Sequence, residues 1–181
     1  MAKTTKYITQ AQFNRTLGIV GLLIAFLLIV GAGLAHFGRN FATNQVKNQL
    51  VQEKIKFPPK GSKALDPSEY PGLQQYAGQM VDNGKKAKAY ADEYIWHHMM
   101  KSSGGKSYAE ISEASRAKPE DKKLADLKNT LFQGDMLRSS LLTAYAFSVF
   151  GLIAGYAIVV CLVGAVLALL FSLSRFAKAR Q

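Results

Sequence analysis

The sequence predicts an all-α protein in which two transmembrane helices flank a small helical extracytoplasmic domain. Three observations carry this expectation. Residues 16–38, between Arg15 and Arg39, hold no fixed charge, and TLGIVGLLIAFLLIVGAGLAHF is long enough to cross a bilayer as one helix. Residues 139–174, between Arg138 and Arg175, form a second uncharged run. It exceeds the roughly 20 residues that a crossing needs, so one of its ends projects beyond the hydrocarbon. Between the two runs several stretches repeat at helical spacing and none alternates with period two.

Residues 1–15 form a basic tail carrying Lys3, Lys6 and Arg15, and residues 174–181 form another carrying Arg175, Lys178 and Arg180, with no acid in either. Basic residues near the ends of spans stay on the cytoplasmic side, so both termini are expected there, on a two-pass protein of the plasma membrane. Two crossings then put residues 39–142, which hold every acidic residue of the chain, on the outer face. The small residues of AGLAHF loosely resemble a signal-cleavage site, but the apolar run exceeds the roughly 7–15 residues of a signal core, so the first span (residues 16–38) is expected to remain as an anchor.

Within the outer region, FATNQVKNQLVQEKIKF places Phe41, Val46, Leu50, Val51 and Ile55 at helical spacing and reads as a stalk continuing the first span. Phe57-Pro58-Pro59 ends it, because consecutive prolines lack the amide hydrogens a helix needs. Asp66 followed by Pro67 and Glu69 has the order of a helix start, and Pro71 restarts the turn. In AKAYADEYIWHHMM, residues Ala87, Tyr90, Ala91, Tyr94, Ile95 and His98 share one helical face. Gly104 and Gly105 stop that helix, and Ser107 to Glu110 has the form of a capping box. Pro119 with Glu120 and Asp121 is expected to open the next helix, with Leu124, Leu127 and Leu131 on one stripe. The region reads as short helices of roughly 10–17 residues, and the second span is expected over residues 143–173.

The formal charge of +11 raises the question of nucleic acid. Six of the 23 basic residues flank the spans, where they meet anionic lipid headgroups, so the balance is a membrane signature and no nucleic-acid partner is expected. The single cysteine, Cys161, falls within the second span and excludes an intrachain disulfide. Gly105-Lys106-Ser107 is not a phosphate loop, because Met100 stands where the first glycine belongs. His97 and His98 point about 100° apart on a helix and cannot close on one ion, although His36 could approach in three dimensions. No spacing marks a catalytic, cofactor or metal residue.

The most specific pattern is Gly151-Leu-Ile-Ala-Gly155, since small residues four apart let helices approach closely in lipid; Gly18 and Gly21 mark a similar groove in the first span. Phe147, Gly151 and Gly155 are therefore expected to touch a partner helix, and Tyr90, Tyr94 and Trp96 to dock a partner outside. KAYADEYIWHHMMKSSGGKSYAEIS and NTLFQGDMLRSSLLTAYAFSVFGLIAGYAI, covering roughly residues 88–156, resemble an actinobacterial family of two-span membrane proteins loosely labelled ring-opening dioxygenases. Nothing spaces two histidines and a carboxylate for non-haem iron, so the chain lends that label no support. The same residues are similar to small accessory subunits of the actinobacterial cytochrome bcc–aa3 supercomplex. That resemblance implies a haem-free, non-catalytic subunit among other integral membrane subunits and lipids. The rival expectation is an envelope protein that binds lipid or wall precursors, as a homodimer through the same glycines.

Overall fold

A computed structural model describes residues 9–180, so Lys3 and Lys6 of the basic N-terminal tail lie outside the described residues. The chain is helical, in the order α1 (Gln10–Glu53), two short 3-10 turns (Lys63–Leu65 and Pro71–Tyr76), α2 (Gly84–Ala89), a π-helical segment (Tyr90–Ile95), α3 (Trp96–Ser103), α4 (Tyr108–Ala117) and α5 (Lys122–Lys178). Among the described residues there is no strand, only an isolated bridge between Lys56 and Met80. Two compact units emerge: a helix pair built from the chain up to Asn40 and from Gly151 onward, and a lobe, Phe41–Phe150.

In the helix pair, α1 buries Asn14, Gly18, Gly21, Ala25 and Ala32, with Leu28 and Ala35 half-buried. These positions advance by four and three alternately, the spacing of a coiled-coil seam. On α5, Ala165, Ser172 and Ala179 are buried, and Ala154, Ile158, Cys161 and Ala168 half-buried, at the same alternation. The helices run antiparallel, and most of the contacts involve small residues. A Cβ on Gly21 would lie 3.1 Å from Ser172 Cβ and 3.2 Å from the Ala168 carbonyl oxygen; one on Gly164 would lie 3.1 Å from a methyl of Leu28. The buried Ser172 hydroxyl donates to the Gly18 carbonyl oxygen at 2.7 Å.

The bulky residues of both helices, among them Leu23, Phe26, Leu27, Val160, Val163 and Leu167, point outward and are exposed. Both helices are long and apolar enough to cross a membrane, yet only 22% and 11% of their most apolar stretches are buried. The core helix of a water-soluble domain would be mostly buried.

In the lobe, α1 ends at Glu53, and Lys54 takes a left-handed conformation at φ 52°, so the helix stops before the prolines reach it. Asp66 does not open a helix as expected. Its carboxylate accepts hydrogen bonds from the Ser68 amide (2.8 Å) and hydroxyl (2.6 Å), closing a local turn that competes with helix. Pro119 is not the start of the next helix either: α5 begins at Lys122, and Asp121 caps it by accepting from the Leu124 amide at 3.1 Å. The expected short helix there is the first part of α5, which continues unbroken to Lys178. The helix stop at Gly104 (φ 64°) and the reciprocal capping box of Ser107 and Glu110 follow the sequence pattern.

The lobe core gathers Val46 and Leu50 from α1, Phe57, Leu65, Leu73 and Val81 from the connecting segment, Ala87 to Met99 from the middle helices, and Leu131, Leu141 and Ala144 from α5. α2, the π-helical segment and α3 run into one another as a continuous rod, which packs antiparallel along α5: Gly84 beside Tyr145, Asp92 on Arg138, Met99 on Gly134.

Gly21→Leu is expected to destabilise the helix pair by about 1–3 kcal/mol, the usual cost of forcing bulk into a packed site. Gly33→Leu, with nothing within 4 Å of its Cβ, should be tolerated. Thermal unfolding of the two variants in detergent micelles measures the difference.

Candidate functional site

The middle rod carries Tyr90, Tyr94 and Trp96, half of the expected contact residues, and its burial pattern has a simple period. Ala87, Ala91, Ile95, Met99 and Ser103 are buried, each four residues after the last. In an α-helix a step of four overshoots a full turn by about 40°, so five such positions would wind off the face. The wider π-helical turn at Tyr90–Ile95 absorbs the drift and keeps them on α5. This corrects the expected face: Met99, not His98, continues the buried stripe, and His98 stands beside it, its ring partly covered by Tyr94 and partly open to solvent.

Aromatic rings cover the flank of the rod. Phe57 stacks on Tyr76 (centroids 5.3 Å) and meets Tyr90 edge-on (5.0 Å); Tyr90 meets Tyr94 (4.9 Å), and Tyr94 lies against Tyr70 (5.5 Å) and His98 (4.6 Å). Burial pushes the Tyr90 phenol up to about 12 and raises Tyr94. Tyr70 is buried, its hydroxyl has no hydrogen-bond partner, and burial raises its pKa as well.

The two adjacent histidines serve different surfaces. His97 lines an open groove of about 430 Å³ with Glu69, Tyr70, Gly72, Glu93 and Trp96, and its Nε2 lies 3.8 Å from Glu69 Oε2. His98 lines an apolar groove of about 350 Å³ with Tyr94, Ile95, Met99, Thr130 and Gly134. Glu69 is also held by Lys101 at 2.6 Å. His36 lies in the helix pair, where its Nε2 is 2.9 Å from Asn40 Nδ2. Among the described residues no three His, Cys, Asp or Glu side chains are placed to hold a metal.

The strongest polar feature joins the rod to α5. Asp92 accepts from Arg138 Nη2 at 2.9 Å and from Lys88, and the Arg138 guanidinium lies over the Trp96 ring, 4.8 Å from its centroid. Burial pushes the Asp92 carboxyl up, but the hydrogen bonds from Lys88 and Arg138 outweigh it and hold the carboxylate below its ordinary range. Sequence reading missed Arg138 and Asp92 as partners. The available signal was Arg138 as the last charge before a long apolar run.

The expected contact residues therefore divide. Tyr90 and Tyr94 pack against the lobe core, while Trp96 (39% exposed) and Phe147 (41%) face outward. Gly151 is buried within the chain, and a Cβ on Gly155 would meet the Arg39 guanidinium at 3.5 Å, so Gly155 accommodates this chain's own first helix. No protein-family model, characterised protein or solved structure matches the chain.

A pH dependence follows from His98, whose pKa is lowered by burial first and then by neighbouring His97 and Lys101, against a smaller opposing pull from Glu69. Below an unfolded-state pKa of about 6.5 the unfolded chain binds the extra proton and the folded lobe does not, so stability falls with pH from there down to the folded-state value. His98→Phe should flatten this part of the curve. Urea titrations between neutral pH and about pH 5 compare the two proteins.

Proposed function

We propose that the chain is a two-pass protein of the plasma membrane with both termini cytoplasmic and the lobe extracytoplasmic, acting as a non-catalytic accessory subunit of a larger membrane complex. The observation that supports the role most directly is Trp96. It is large, partly exposed and held under Arg138, whose guanidinium is fixed in turn by Asp92. Tryptophan and arginine dominate the energetics of protein interfaces, and a side chain already fixed in place loses little further freedom on binding. The outward apolar faces of α1 and α5 support lipid insertion, and the basic residues at both cytoplasmic ends support the orientation.

The resemblance of residues 88–156 to accessory subunits of the cytochrome bcc–aa3 supercomplex makes that assembly the first partner to test. The proposed contacts are Phe147, Gly151 and Gly155 on α5 and Tyr90, Tyr94 and Trp96 on the rod, and of these Phe147 and Trp96 are the exposed ones. The apolar groove beside His98 favours one rival, an envelope protein binding a lipid or wall precursor, which would retain a reproducible lipid when purified alone.

The test is affinity capture of the tagged chain in mild detergent, with mass spectrometry and a haem spectrum of what accompanies it. Trp96→Ala should lower recovery of the partner subunits about tenfold or more, a hot-spot loss. Equal recovery, or capture of the chain with lipid alone, would contradict the accessory role.

A further inference from the structure

We propose that the groove beside Trp96 receives a guanidinium group, the side chain of an arginine presented by a partner subunit. The inference deepens the accessory-subunit reading and rests on it for the source of the arginine, while the chemistry of the groove follows from the lobe alone.

Three carboxylates, Glu69, Asp92 and Glu93, line the groove together with Trp96 and His97, and no lysine or arginine does. On a chain of formal charge +11 this is a local reversal of sign. Asp92 is engaged by Lys88 and Arg138. The other two keep acceptor capacity. Glu69 gives Oε1 to Lys101 at 2.6 Å, while its Oε2 has His97 Nε2 at 3.8 Å, beyond hydrogen-bond reach. Glu93 accepts no hydrogen bond and joins none of the ion pairs among the described residues. Its position is nonetheless set: an added Cβ on Gly72 would lie 2.6 Å from Glu93 Oε2, so glycine is what lets the carboxylate rest against this wall of the groove.

The third open acceptor is Tyr70. It lines the same groove, is 3% exposed, and its hydroxyl has no hydrogen-bond partner. Buried polar groups are ordinarily paired, and an unpaired one carries a free-energy cost that a ligand relieves. Two carboxylates and a hydroxyl around an aromatic ring call for a flat cation with several donors. Guanidinium presents five N–H donors in one plane and stacks on aromatic rings, whereas an ammonium is a compact point charge with no flat face. Trp96 already carries one guanidinium, that of Arg138, 4.8 Å from its ring centroid, and with 39% of the residue exposed it has surface left for a second. The groove's volume of about 430 Å³ has room for one such side chain.

The chain has a single tryptophan, so its emission reports on the groove directly. The full chain in an uncharged detergent is titrated with a blocked tripeptide of arginine between two glycines, and with the same peptide carrying lysine or citrulline instead. The arginine peptide should change Trp96 emission saturably, the lysine peptide should bind about threefold more weakly, and citrulline, which keeps the shape and loses the charge, about tenfold more weakly or worse. Glu93→Gln should weaken the arginine peptide about tenfold and Tyr70→Phe about threefold. Glu113→Gln, on α4 and outside the groove, should change nothing. Emission without peptide should be the same in all these variants, showing an intact lobe. No saturable change, or one that citrulline or Glu93→Gln reproduces in full, overturns the inference. Capture of partner subunits that is lost with Trp96→Ala but unchanged with Glu93→Lys overturns it too, and leaves the accessory role standing. Peptide binding as expected with no subunit captured supports the guanidinium site and overturns the accessory role.

Discussion

Small residues at every third and fourth position are what allow α1 and α5 to lie against each other. Gly18, Gly21, Ala25 and Ala32 on one side, and Ala165, Ala168 and Ser172 on the other, bring the two backbones close enough for a serine hydroxyl on one to reach a carbonyl on the other. In lipid, where apolar side chains gain nothing by leaving the solvent, such close contact supplies the attraction between helices. It also decides what faces outward: with the seam filled by glycine and alanine, leucine, valine and phenylalanine are left on the outer faces of the pair.

The same two helices run on into the lobe, where the packing follows different rules. There α1 and α5 contribute Val46, Leu50, Leu131 and Leu141, and the middle rod fills the space between with alanine and aromatic side chains. With Cys161 the sole cysteine, no disulfide closes the lobe. It is held instead by the ring stack running from Tyr76 to Tyr94, and by Asp92, which ties the rod to Arg138 across a long sequence separation. A carboxylate shared by two cations stays ionised far below neutral pH, so this tie does not loosen under mild acid, whereas the environment of His98 does respond.

Local chemistry was legible in the sequence wherever one short segment decided the outcome. The capping box at Ser107, the stop at Gly104 and the two apolar runs needed nothing from elsewhere in the chain. Three-dimensional choices were not legible. Whether Asp66 caps a helix or closes a turn depends on Ser68 competing for its carboxylate, and the π-helical turn arises because five buried positions must stay on α5. Gly151 and Gly155 illustrate the same limit: the spacing reveals that a helix comes close, but not whose helix it is. The alternating spacing of Gly18, Gly21, Ala25 and Ala32 held that answer, since it matches a second seam on the same chain.

The most direct test of the seam is a cross-link across it. A Cβ on Gly31 would lie 3.7 Å from Cys161 Sγ, whereas one on Gly33 meets nothing within 4 Å. Under mild oxidation Gly31→Cys should join Cys161 within a single chain, seen as a faster-migrating monomer that reverts on reduction, and Gly33→Cys should not. Dimers through Gly31→Cys with no intrachain product would mean that α1 and α5 pair between chains, and the antiparallel seam described here would be wrong.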